Sequence, residues 1–442
     1  MGALRVAVVG SGPAGFYAAG SLLGADIPVE VDMIERLPTP WGLVRLGVAP
    51  DHPKIKSVSR AFEKIALQPG FRFLGNVEVG RDVKPDELLE HYDAVVYAIG
   101  AQSDRRMGIP GEDLPGSSAA TEFVAWYNGH PDYQHLEFDL THERAVVIGN
   151  GNVAVDVARM LALTPEELAP TDTTHAAIAA FETAGLREIV MVGRRGPAQA
   201  AFTTPELIEL GELAGADVIV DPADLEGAEP TDTNSERNLA VLHEYAAREP
   251  EGKPKRLVLR FLLSPVAILG DARVEAIELV HNRLEADASG ALRAVPTGAT
   301  ETLECGIVFR SVGYRGVALP GVPFDESRGT IANEDGRVAP GVYAAGWIKR
   351  GPSGVIGTNK KDAAETVELL LEDLRDAPRK DRPAEELDLL LVERGVRPVI
   401  YSGWTAIDEH ERAAGENLGR PRVKLVSWAE LLAAAERVAA DA

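Results

Sequence analysis

A glycine-rich turn near the N-terminus constrains the fold of this chain more than any other feature. Residues Val6 to Val9 form a continuous apolar run, which is typical of a central parallel strand. Gly10, Gly12 and Gly15 follow at the GxGxxG spacing. The first glycine permits a tight turn, the second leaves the backbone open to a pyrophosphate, and the third lets a helix lie close to the strand. The segment therefore predicts a strand, a turn and a helix that bind a dinucleotide.

The next predicted strand supports this interpretation. It runs from Val29, is apolar at alternate positions, and ends at Glu35, about 25 residues after the first glycine. A carboxylate at this position accepts hydrogen bonds from both ribose hydroxyls of a bound nucleotide. Because it would repel a 2′-phosphate, the first site is predicted to suit FAD or NAD and not NADP.

A second strand, turn and helix begin at Arg144. Gly149, Gly151 and Ala154 have the same spacing, and alanine is an accepted variant of the third glycine. A later strand leads into Arg194 and Arg195, where the first site has an acid. Paired guanidinium groups bind a 2′-phosphate through charge-assisted bidentate contacts, so the second site is predicted to prefer NADP(H). Residues 164–185 are predicted to form an additional helical excursion.

Two such segments in a chain of 442 residues, 45% of them hydrophobic, indicate more than one domain. We predict an α/β fold with two Rossmann-like, doubly wound dinucleotide-binding domains. A polar, turn-rich segment at 102–111 is typical of a domain crossing, and a strand and glycines at 305–316 return the chain towards the first domain. The predicted boundaries are 1–104 and 318–442 for the FAD-binding domain and 105–317 for the NADP-binding domain.

The segment from Leu37 to Lys54 is too rich in proline and glycine for one helix or strand, so we predict an ordered loop along the first nucleotide. Within it, Trp41 and Leu43 are placed to cover a flavin, although Trp41 could equally be a core residue. His52 lies between two prolines and could steer protons or a nicotinamide, or could only be structural.

Basic residues are concentrated in two segments. One helix is predicted from Lys54 to Leu67, with a basic stripe that would either dock an acidic partner or form a solvated face. The other segment is 341–361, a strand, a glycine-rich loop and the start of a helix that can face the pyrimidine edge of a flavin. The basic residues are Lys54, Lys56, Arg60, Lys64, Lys349, Arg350, Lys360 and Lys361.

A short helix after the paired arginines carries two acids. Thr204 is predicted to cap it, with Pro205 in its first turn, and Glu206 and Glu209 then share one face. Either acid could contact the nicotinamide-ribose end of a nucleotide, pair with His52, or only complement the helix dipole. Downstream, residues 222–256 are predicted to be surface structure with a helix near 236–248, followed by two strands at 256–269 and 273–284. The remainder after 361, with Trp404, Arg420, Arg422 and Lys424, is expected to be mixed helix and strand that pattern alone does not assign.

The formal net charge of −23 argues against nucleic acid or an anionic membrane surface as a partner. No apolar run approaches the roughly 20 residues of a membrane span. The N-terminus shows no signal peptide, so a cytoplasmic location is expected. The single cysteine, Cys305, excludes a disulfide framework, a CxxC redox pair and an internal iron–sulfur domain, and is predicted to be a packing residue.

Together these segments resemble the adrenodoxin-reductase-like ferredoxin–NADP reductases, above all the actinobacterial members. The most specific stretches are 39–45, 48–56, 149–154, 192–196 and 346–361. The resemblance covers essentially the whole chain and implies a glutathione-reductase-like FAD/NAD(P) architecture. It implies an enzyme that passes a hydride from NADPH to FAD and then single electrons to an acidic iron–sulfur ferredoxin, which docks on a basic surface beside the flavin.

The resemblance also implies site residues. Those for FAD are Gly10, Gly12, Ala14, Gly15, Glu35, Leu43, Val79, Trp347, Gly354, Val355 and Ile356. Those for NADP(H) are Arg105, Gly149, Gly151, Asn152, Val153, Ala154, Val155, Arg194, Arg195, Glu206 and Gly354. His52 matches an active-site histidine, and Glu209 is the second predicted catalytic residue. A reductase of quinones or other small molecules, and a non-catalytic nucleotide sensor, are the alternative functions, and both monomer and dimer stay open.

Overall fold

The structure is a computed structural model that describes residues 2–380 and 383–441, with side chains through residue 436. The described residues fall into two compact units. The first comprises Met1–Ser103, Asn128–Gln134 and Gly313–Ala442, and the second comprises Asp104–Tyr127 and His135–Val312. The short segment Asn128–Gln134 therefore belongs to the first unit, although the sequence analysis placed it in the middle domain.

The N-terminal part of the chain alternates strands and helices as the sequence analysis expected. Its strands are β1 (Leu4–Val9), β2 (Val29–Ile34), β3 (Phe71–Leu74), β4 (Ala94–Tyr97) and β5 (Ser103–Asp104). Its helices are α1 (Pro13–Leu23), α2 (Leu43–Leu46), α3 (Pro53–Lys56), α4 (Ser59–Ala66) and α5 (Pro85–His91).

The middle part contains the second alternating series. Its strands are β6 (Ser117–Ala119), β7 (Arg144–Ile148), β8 (Glu188–Val192), β9 (Ala216–Val220), β10 (Lys255–Arg260), β11 (Leu263–Leu269), β12 (Ala276–Ala286), β13 (Leu292–Glu304) and β14 (Ile307–Arg310). Its α-helices are α6 (Ala120–Tyr127), α7 (Asn152–Ala162), α8 (Pro165–Leu168), α9 (His175–Glu182), α10 (Thr204–Leu210) and α11 (Thr233–Ala247). Three short 3₁₀ helices lie at Pro131–Tyr133, Pro197–Gln199 and Pro222–Leu225.

The C-terminal part returns to the first unit and is mainly helical. Its strands are β15 (Tyr314–Arg315), β16 (Phe324–Asp325), β17 (Thr330–Ile331), β18 (Arg337–Ala339) and β19 (Val342–Ala344). Its helices are α12 (Trp347–Arg350), α13 (Thr358–Asp373), α14 (Ala384–Glu393), α15 (Tyr401–Glu416) and α16 (Trp428–Asp441). The region after 361 was expected to mix helix and strand, but its described residues form helices and connecting segments with no strand, so that expectation is wrong in part.

The first unit contains a six-stranded sheet in the order β18-β19-β4-β1-β2-β3. All neighbours are parallel except β18 and β19, and β1 is paired on both sides. Alternate residues of β1 enter two separate cores: Val6 and Val8 pack with α1 and α13 residues, whereas Ala7 and Val9 pack with α5 and α14 residues. Both faces are thus covered, which explains the continuous apolar run and confirms a doubly wound arrangement.

The second unit repeats this arrangement in the order β6-β14-β7-β8-β10-β9, with every neighbouring pair parallel. A separate antiparallel sheet, β11-β12-β13, packs through Leu263, Ile277 and Leu279 on the side chains of β7 and β8. In both units β1 or β7 is central and its carboxyl end meets the glycine turn. In open α/β sheets this is the place where ligands bind.

Two predicted elements are wrong in detail, and one strand was missed. The run at 256–269 is two strands in two different sheets, broken at Phe261 and Leu262, and Leu262 has a positive φ of 56°. Strand β13 was missed because it is mostly exposed and has no apolar face to mark it. The single basic helix from Lys54 to Leu67 is two helices, α3 and α4, separated by Ser57 and Val58. Within the described residues, no helix has the length and apolar character needed to cross a bilayer.

Candidate cofactor-binding and active sites

The glycines of the first turn are required by close backbone contacts. Gly10 has a φ of +102°, and a Cβ there would lie 2.6 Å from the Ala98 carbonyl oxygen. A Cβ at Gly15 would lie 2.0 Å from the Gly10 oxygen. At Gly12 the situation differs, because a Cβ would meet no atom within 4 Å. Gly10 and Gly15 therefore shape the turn. Gly12 keeps open the space in front of the N-terminus of α1, and this space fits a pyrophosphate.

Glu35 lies beside this turn, at the carboxyl end of β2. Its Oε2 accepts hydrogen bonds from the Ser11 backbone N–H at 3.0 Å and from the Ser11 hydroxyl at 2.7 Å. Its Oε1 accepts from the Leu37 N–H at 2.9 Å. The carboxylate is half-buried and held against the glycine turn. Each carboxylate oxygen has more than one lone pair, so the group can still accept from ribose hydroxyls, as a bound nucleotide requires.

The loop after Glu35 places its two candidate flavin contacts differently. Trp41 is only 5% exposed and packs on Phe16, Phe62 and Trp404, with ring centroids 4.8, 5.8 and 5.9 Å away. Its side chain is packed in the core, which favours the core role over the flavin cover among the two alternatives for Trp41. Leu43 begins α2 and is 42% exposed, which leaves it accessible to a ligand.

His52 is buried, with 8% of its surface exposed, and it occupies the position immediately before α3. Its backbone N–H donates to the Ala49 carbonyl at 3.1 Å, and its carbonyl accepts from the Lys56 N–H at 3.2 Å. Both flanking prolines and these two hydrogen bonds fix the backbone. The loop therefore fixes the backbone that carries the buried imidazole, as a positioning or proton-transfer role would need.

The C-terminal glycine-rich segment meets α1 of the first unit. Gly346 has a φ of +76°, and a Cβ there would lie 2.5 Å from the Cβ of Ala14. Its N–H donates to the Asp362 carboxylate at 2.5 Å, and Ile356 packs against the core cluster that contains Ala14. The tertiary structure thus brings Ala14, Gly15 and the 346–356 segment together, although some 330 positions separate them in the numbering.

The remaining predicted flavin contacts have mixed surroundings. Trp347 is half-buried, packs on Tyr314 at 5.5 Å, and donates from Nε1 to the Ser353 carbonyl at 3.2 Å. Gly354 is exposed with a φ of +78°, and Val355 is 57% exposed. Val79 is buried in the core on one face of the sheet. A contact between Val79 and FAD would therefore use mainly the backbone.

Two of the four cations of the second predicted basic cluster are largely buried and share one carboxylate within the first unit. The Lys349 ammonium lies 3.3 Å from the Asp362 carboxylate and donates to the Thr366 hydroxyl at 3.1 Å. Arg350 lies 3.6 Å from the same carboxylate and donates to Asn359 at 2.8 Å. Their side chains are only 11% and 19% exposed. The expectation that both belong to a docking surface is wrong, because both side chains are largely buried and are turned towards the Asp362 carboxylate.

Five of the other basic residues in the two predicted basic segments face solvent. Lys54, Arg60 and Lys64 are exposed, as are Lys360 and Lys361. The Lys361 side chain is 85% exposed and lies 3.6 Å from a Glu365 carboxylate oxygen. Lys56 is half-buried and donates to Asn128 at 3.4 Å. The exposed residues are the cations that a partner could reach.

The second glycine turn repeats the geometry of the first. Gly149 has a φ of +133°, and a Cβ there would lie 2.2 Å from the Ser311 carbonyl oxygen. A Cβ at Gly151 would meet no atom within 4 Å. The buried Asn150 Nδ2 has no hydrogen-bond partner among the described residues, so this turn retains a donor that the chain itself does not use. The turn and the N-terminus of α7 fit an anionic ligand.

Helix α7 supplies the residues predicted after this turn. Ala154 and Val155 are buried, whereas Asn152 and Val153 are half-buried at the N-terminus. Asn152 Oδ1 accepts from the Thr203 N–H at 2.8 Å, and the Asn150 carbonyl accepts from the N–H groups of Ala201 and Phe202 at 2.9 and 3.0 Å. The segment before α10 is therefore tied to the glycine turn.

The predicted cap of α10 is wrong. Thr203, not Thr204, is the residue before the helix, and it makes no side-chain capping bond. The Thr204 hydroxyl instead donates to Asn238 Oδ1 at 2.7 Å, and the Asn238 amide donates to the Phe202 carbonyl at 3.0 Å. The bonds to the glycine turn and to α11 hold the start of α10.

Arg194 and Arg195 follow β8 at the carboxyl end of the second sheet. Arg194 is exposed and Arg195 half-buried, and no ion pair with a carboxylate holds either within the part of the chain that the structure describes. Burial, together with the positive charges of Arg194 and Arg293, lowers the pKa of Arg195. Cations held together without a compensating anion favour binding of an anion such as a 2′-phosphate. Arg105 is exposed at the start of this unit.

Glu206 and Glu209 face a residue that the sequence analysis did not single out. Arg159, at the C-terminal turn of α7, donates from Nη1 to Glu206 at 3.3 Å and to Glu209 at 3.0 Å. Its Nη2 donates to Asp156 at 2.7 Å, and its side chain is 3% exposed. The sequence signals are a cation in the last turn of a mainly apolar helix and its i,i+3 spacing from Asp156. Both predicted acids are therefore oriented by one buried guanidinium.

Cys305 is buried in the core beneath the second sheet, and burial raises the pKa of its thiol to about 12. The prediction that it is a packing residue is confirmed, because a buried, protonated thiol is unreactive.

Comparison with known proteins gives a consistent result. Residues 4–169 match the pyridine nucleotide-disulphide oxidoreductase family. The chain is 54% identical to NADPH-ferredoxin reductase FprA of Mycobacterium tuberculosis, over 97% of this chain and 98% of that protein. It is 45% identical to human mitochondrial NADPH:adrenodoxin oxidoreductase, over 97% of this chain and 91% of that protein. The solved structure of M. tuberculosis FprA in complex with NADPH superimposes with a TM-score of 0.95 at 53% identity, covering 98% of this chain and 100% of that one.

Proposed function

The chain belongs to the family of NADPH-ferredoxin reductases that includes adrenodoxin reductase, and we propose that it transfers a hydride from NADPH to FAD and then single electrons to an iron–sulfur ferredoxin. It is an oxidoreductase of the flavoprotein class. The observation that carries the proposal is that the two glycine turns are flanked by opposite charges: the Glu35 carboxylate beside the first, and the Arg194–Arg195 pair after the strand next to the second.

The first turn is proposed to hold FAD. The open space at Gly12, the N-terminus of α1 and the Glu35 carboxylate fit its pyrophosphate and ribose. When bound, FAD accepts a hydride and releases its electrons one at a time, which is the chemistry that this function needs. Leu43, Ala14 and the 354–356 segment are proposed as further contacts, as the family resemblance implies. The FAD-binding domain is proposed to comprise 1–104 and 318–442.

The second turn is proposed to hold NADPH in a domain comprising 105–317. The N-terminus of α7 would bind the pyrophosphate, and Arg194 and Arg195 would bind the 2′-phosphate and so select NADPH over NADH. Glu206, Arg105 and Gly354 are proposed to complete this site. A fixed nucleotide favours transfer because the reacting atoms are held in one geometry.

His52 and Glu209 are the proposed catalytic residues. His52 is buried and its backbone is held between two prolines, and Glu209 is oriented by Arg159. A residue that positions the nicotinamide or transfers a proton needs a defined orientation, and these contacts favour one for each residue.

The proposed partner is an acidic ferredoxin that docks on exposed cations. Lys349 and Arg350 are largely buried and are left out of the proposed docking surface. The surface is proposed to consist of the exposed cations of α3 and α4, which are Lys54, Arg60 and Lys64. Opposite charges on two proteins steer encounter and orient the complex. We also propose a cytoplasmic location, which the single buried cysteine supports.

An anaerobic titration tests the function directly. Purified holoprotein is titrated with NADPH while flavin absorbance is followed, and a candidate acidic ferredoxin is then added. We expect the flavin absorbance to bleach with NADPH, weakly with NADH, and to recover as ferredoxin is reduced. A chain that binds NADP+ without bleaching would be a sensor. Rapid turnover with quinones and none with ferredoxin would identify a small-molecule reductase.

A further inference from the structure

Arg159 lies at the centre of three carboxylates in the second unit. Its guanidinium is shared between Glu206, Glu209 and Asp156 at 3.3, 3.0 and 2.7 Å. The Arg159 side chain is 3% exposed, and those of Asp156 and Glu206 are 15% and 13% exposed. One cation is thus largely withdrawn from water and holds carboxylates from two different helices. Its desolvation costs more free energy than that of a cation in an exposed ion pair.

Helix α10 is attached to α7 at two separated points. Asn152, the first residue of α7, accepts from the Thr203 N–H just before α10 begins. Arg159 is seven residues further along, which is about 10 Å at the rise of an α-helix. There it holds Glu206 and Glu209 on the first and second turns of α10. Helix α11 also holds α10, through Asn238 at its start and through the Tyr245 hydroxyl, which donates to the Leu207 and Ile208 carbonyls. The Arg159 contacts add the attachment that orients the face of α10 carrying Glu206 and Glu209.

The geometry requires arginine in particular. The two terminal nitrogens of the guanidinium point to different acids at the same time, Nη1 to Glu206 and Glu209 and Nη2 to Asp156. A lysine ammonium keeps the charge but is a single point on a flexible stem, so it cannot reproduce this planar fork. A lysine variant therefore separates the effect of geometry from the effect of charge.

We propose that Arg159 is a positioning residue of the NADPH site, which orients Glu206 and Glu209 relative to the nucleotide-binding helix α7. The proposal rests on the proposed function, because it takes these acids to act at the nicotinamide end of NADPH. Arg159 itself contacts the acids and acts only through them. Rotation of α10 away from α7 would move both acids at once.

The test compares Arg159→Lys with a matched control, Arg144→Lys, in the FAD-loaded full-length protein. Arg144 is also a partly buried arginine of this unit and pairs with Glu188 at 2.5 Å, but it lies at the opposite end of β7 from the glycine turn. NADP+ affinity is measured by calorimetry, flavin reduction by stopped-flow absorbance, and the mobility of 203–211 by amide hydrogen exchange.

We expect Arg159→Lys to weaken NADP+ binding and to slow flavin reduction, each by roughly tenfold, and to speed exchange in 203–211. The control should change each quantity by less than about twofold. If Arg159→Lys matches the control in affinity, rate and exchange, the proposal is wrong.

A second comparison covers the case in which Arg159→Lys does not fold. The double variant Glu206→Gln/Glu209→Gln removes the two carboxylate charges that Arg159 faces on α10. It is compared with the triple variant that also carries Arg159→Met. If Arg159 acts through the two acids, adding Arg159→Met changes NADP+ affinity and flavin reduction by less than about twofold. A further tenfold loss would show that Arg159 acts on its own and would overturn the proposal.

The two proposals fail in different ways. Wild-type protein that neither binds NADP+ nor bleaches with NADPH would defeat the proposed function. Wild-type protein that does both, with NADP+ binding weakened by Arg194→Ala but not by Arg159→Lys, would defeat only the role of Arg159.

Discussion

Arg45 and Glu411 are 366 residues apart in the chain and form a bidentate ion pair in the interior of the first unit. The two guanidinium nitrogens lie 2.8 and 2.5 Å from the two carboxylate oxygens, and the side chains are 4% and 0% exposed. Arg45 lies on α2, within the 37–54 segment that follows Glu35, and Glu411 lies on α15. Helix α15 therefore anchors the segment that is proposed to run along FAD.

Removing one partner of this pair should destabilise the protein strongly. Glu411→Ala leaves the buried Arg45 cation without its bidentate partner, and we expect a loss of about 3–5 kcal/mol in the free energy of unfolding. Urea unfolding of the FAD-loaded protein measures it. The control is Arg412→Ala, which removes an exposed arginine that pairs with Asp408 on the same helix and should cost about 0.5 kcal/mol or less, because Asp408 keeps its ion pair with Arg422. Equal losses in the two variants would contradict the structural role of the buried pair.

The same pair should weaken in acid. Burial by itself would raise the pKa of Glu411, but the charges of Arg45 and Arg422 and their hydrogen bonds hold it below its ordinary value. A carboxyl whose pKa is lower in the folded state contributes stability above its unfolded pKa, and this is lost as pH falls through the folded value. The difference in unfolding free energy between wild type and Glu411→Gln should therefore shrink at pH values below about 4.

Asp104 should have the opposite pH dependence. Burial and then the charge of Glu122 raise the pKa of its carboxyl to about 7, against a lowering effect of Arg310. Because the folded state binds this proton more tightly than the unfolded state, stability falls as pH rises from about 4 to about 7. Asp104→Asn, which can still accept the bond from Thr121, should raise the free energy of unfolding at pH 8 by roughly 1–4 kcal/mol, at about 1.4 kcal/mol per pKa unit.

The gain from Asp104→Asn should fall below about 1 kcal/mol near pH 4, because the carboxyl is then protonated in the folded state and about half protonated in the unfolded state. Thermal unfolding at pH 4 and pH 8 measures this, with the exposed Asp113→Asn as control. A gain of the same size at both pH values would show that the substitution acts through packing and not through ionisation.

Cofactor preference should depend on Arg194 and Arg195. Replacing either by alanine removes charge-assisted hydrogen bonds worth about 1.5–3 kcal/mol to a phosphate, so the KM for NADPH should rise roughly 10- to 100-fold. The KM for NADH, which has no 2′-phosphate, should change by about twofold or less. Steady-state kinetics with both nucleotides provides the comparison, and equal effects on the two would refute the 2′-phosphate role.

His52 should be needed for hydride transfer. If it positions the nicotinamide or moves a proton, His52→Ala should slow flavin reduction by NADPH roughly tenfold or more in stopped-flow measurements. If it only stiffens the loop between Pro50 and Pro53, the rate should stay within about twofold. Retained FAD content in the variant shows that the loop itself is intact.

Electron transfer to ferredoxin should depend on the exposed cations of α3 and α4. Charge reversal at Lys54 or Lys64 should raise the KM for ferredoxin several-fold, and reduction should slow as ionic strength rises. Arg237→Glu, an exposed charge reversal on α11 of the other unit, is the control. A flat salt profile, or equal effects of Lys64→Glu and Arg237→Glu, would contradict docking at these residues.

Several elements could not be predicted because their signals depend on contacts between distant residues. Lys349 and Arg350 resemble a free basic cluster until Asp362, one helix later, is brought against them. Trp41 resembles a flavin cover until Phe16, Phe62 and Trp404 surround it. Strand β13 shows no apolar alternation because it has little buried surface. Local patterns report local conformation, and none of these features is local.

The sequence by itself determined the two strand-turn-helix segments and the charges that follow them. These depend on residues within one turn or one strand of each other: a glycine at a positive φ, an apolar run, an acid or a pair of arginines at the next strand end. Tertiary structure alone decided which charges are compensated. Arg159 gathers three carboxylates and Arg45 meets Glu411 only after the chain has folded, because a buried charge is stable where distant parts of the chain supply its partner.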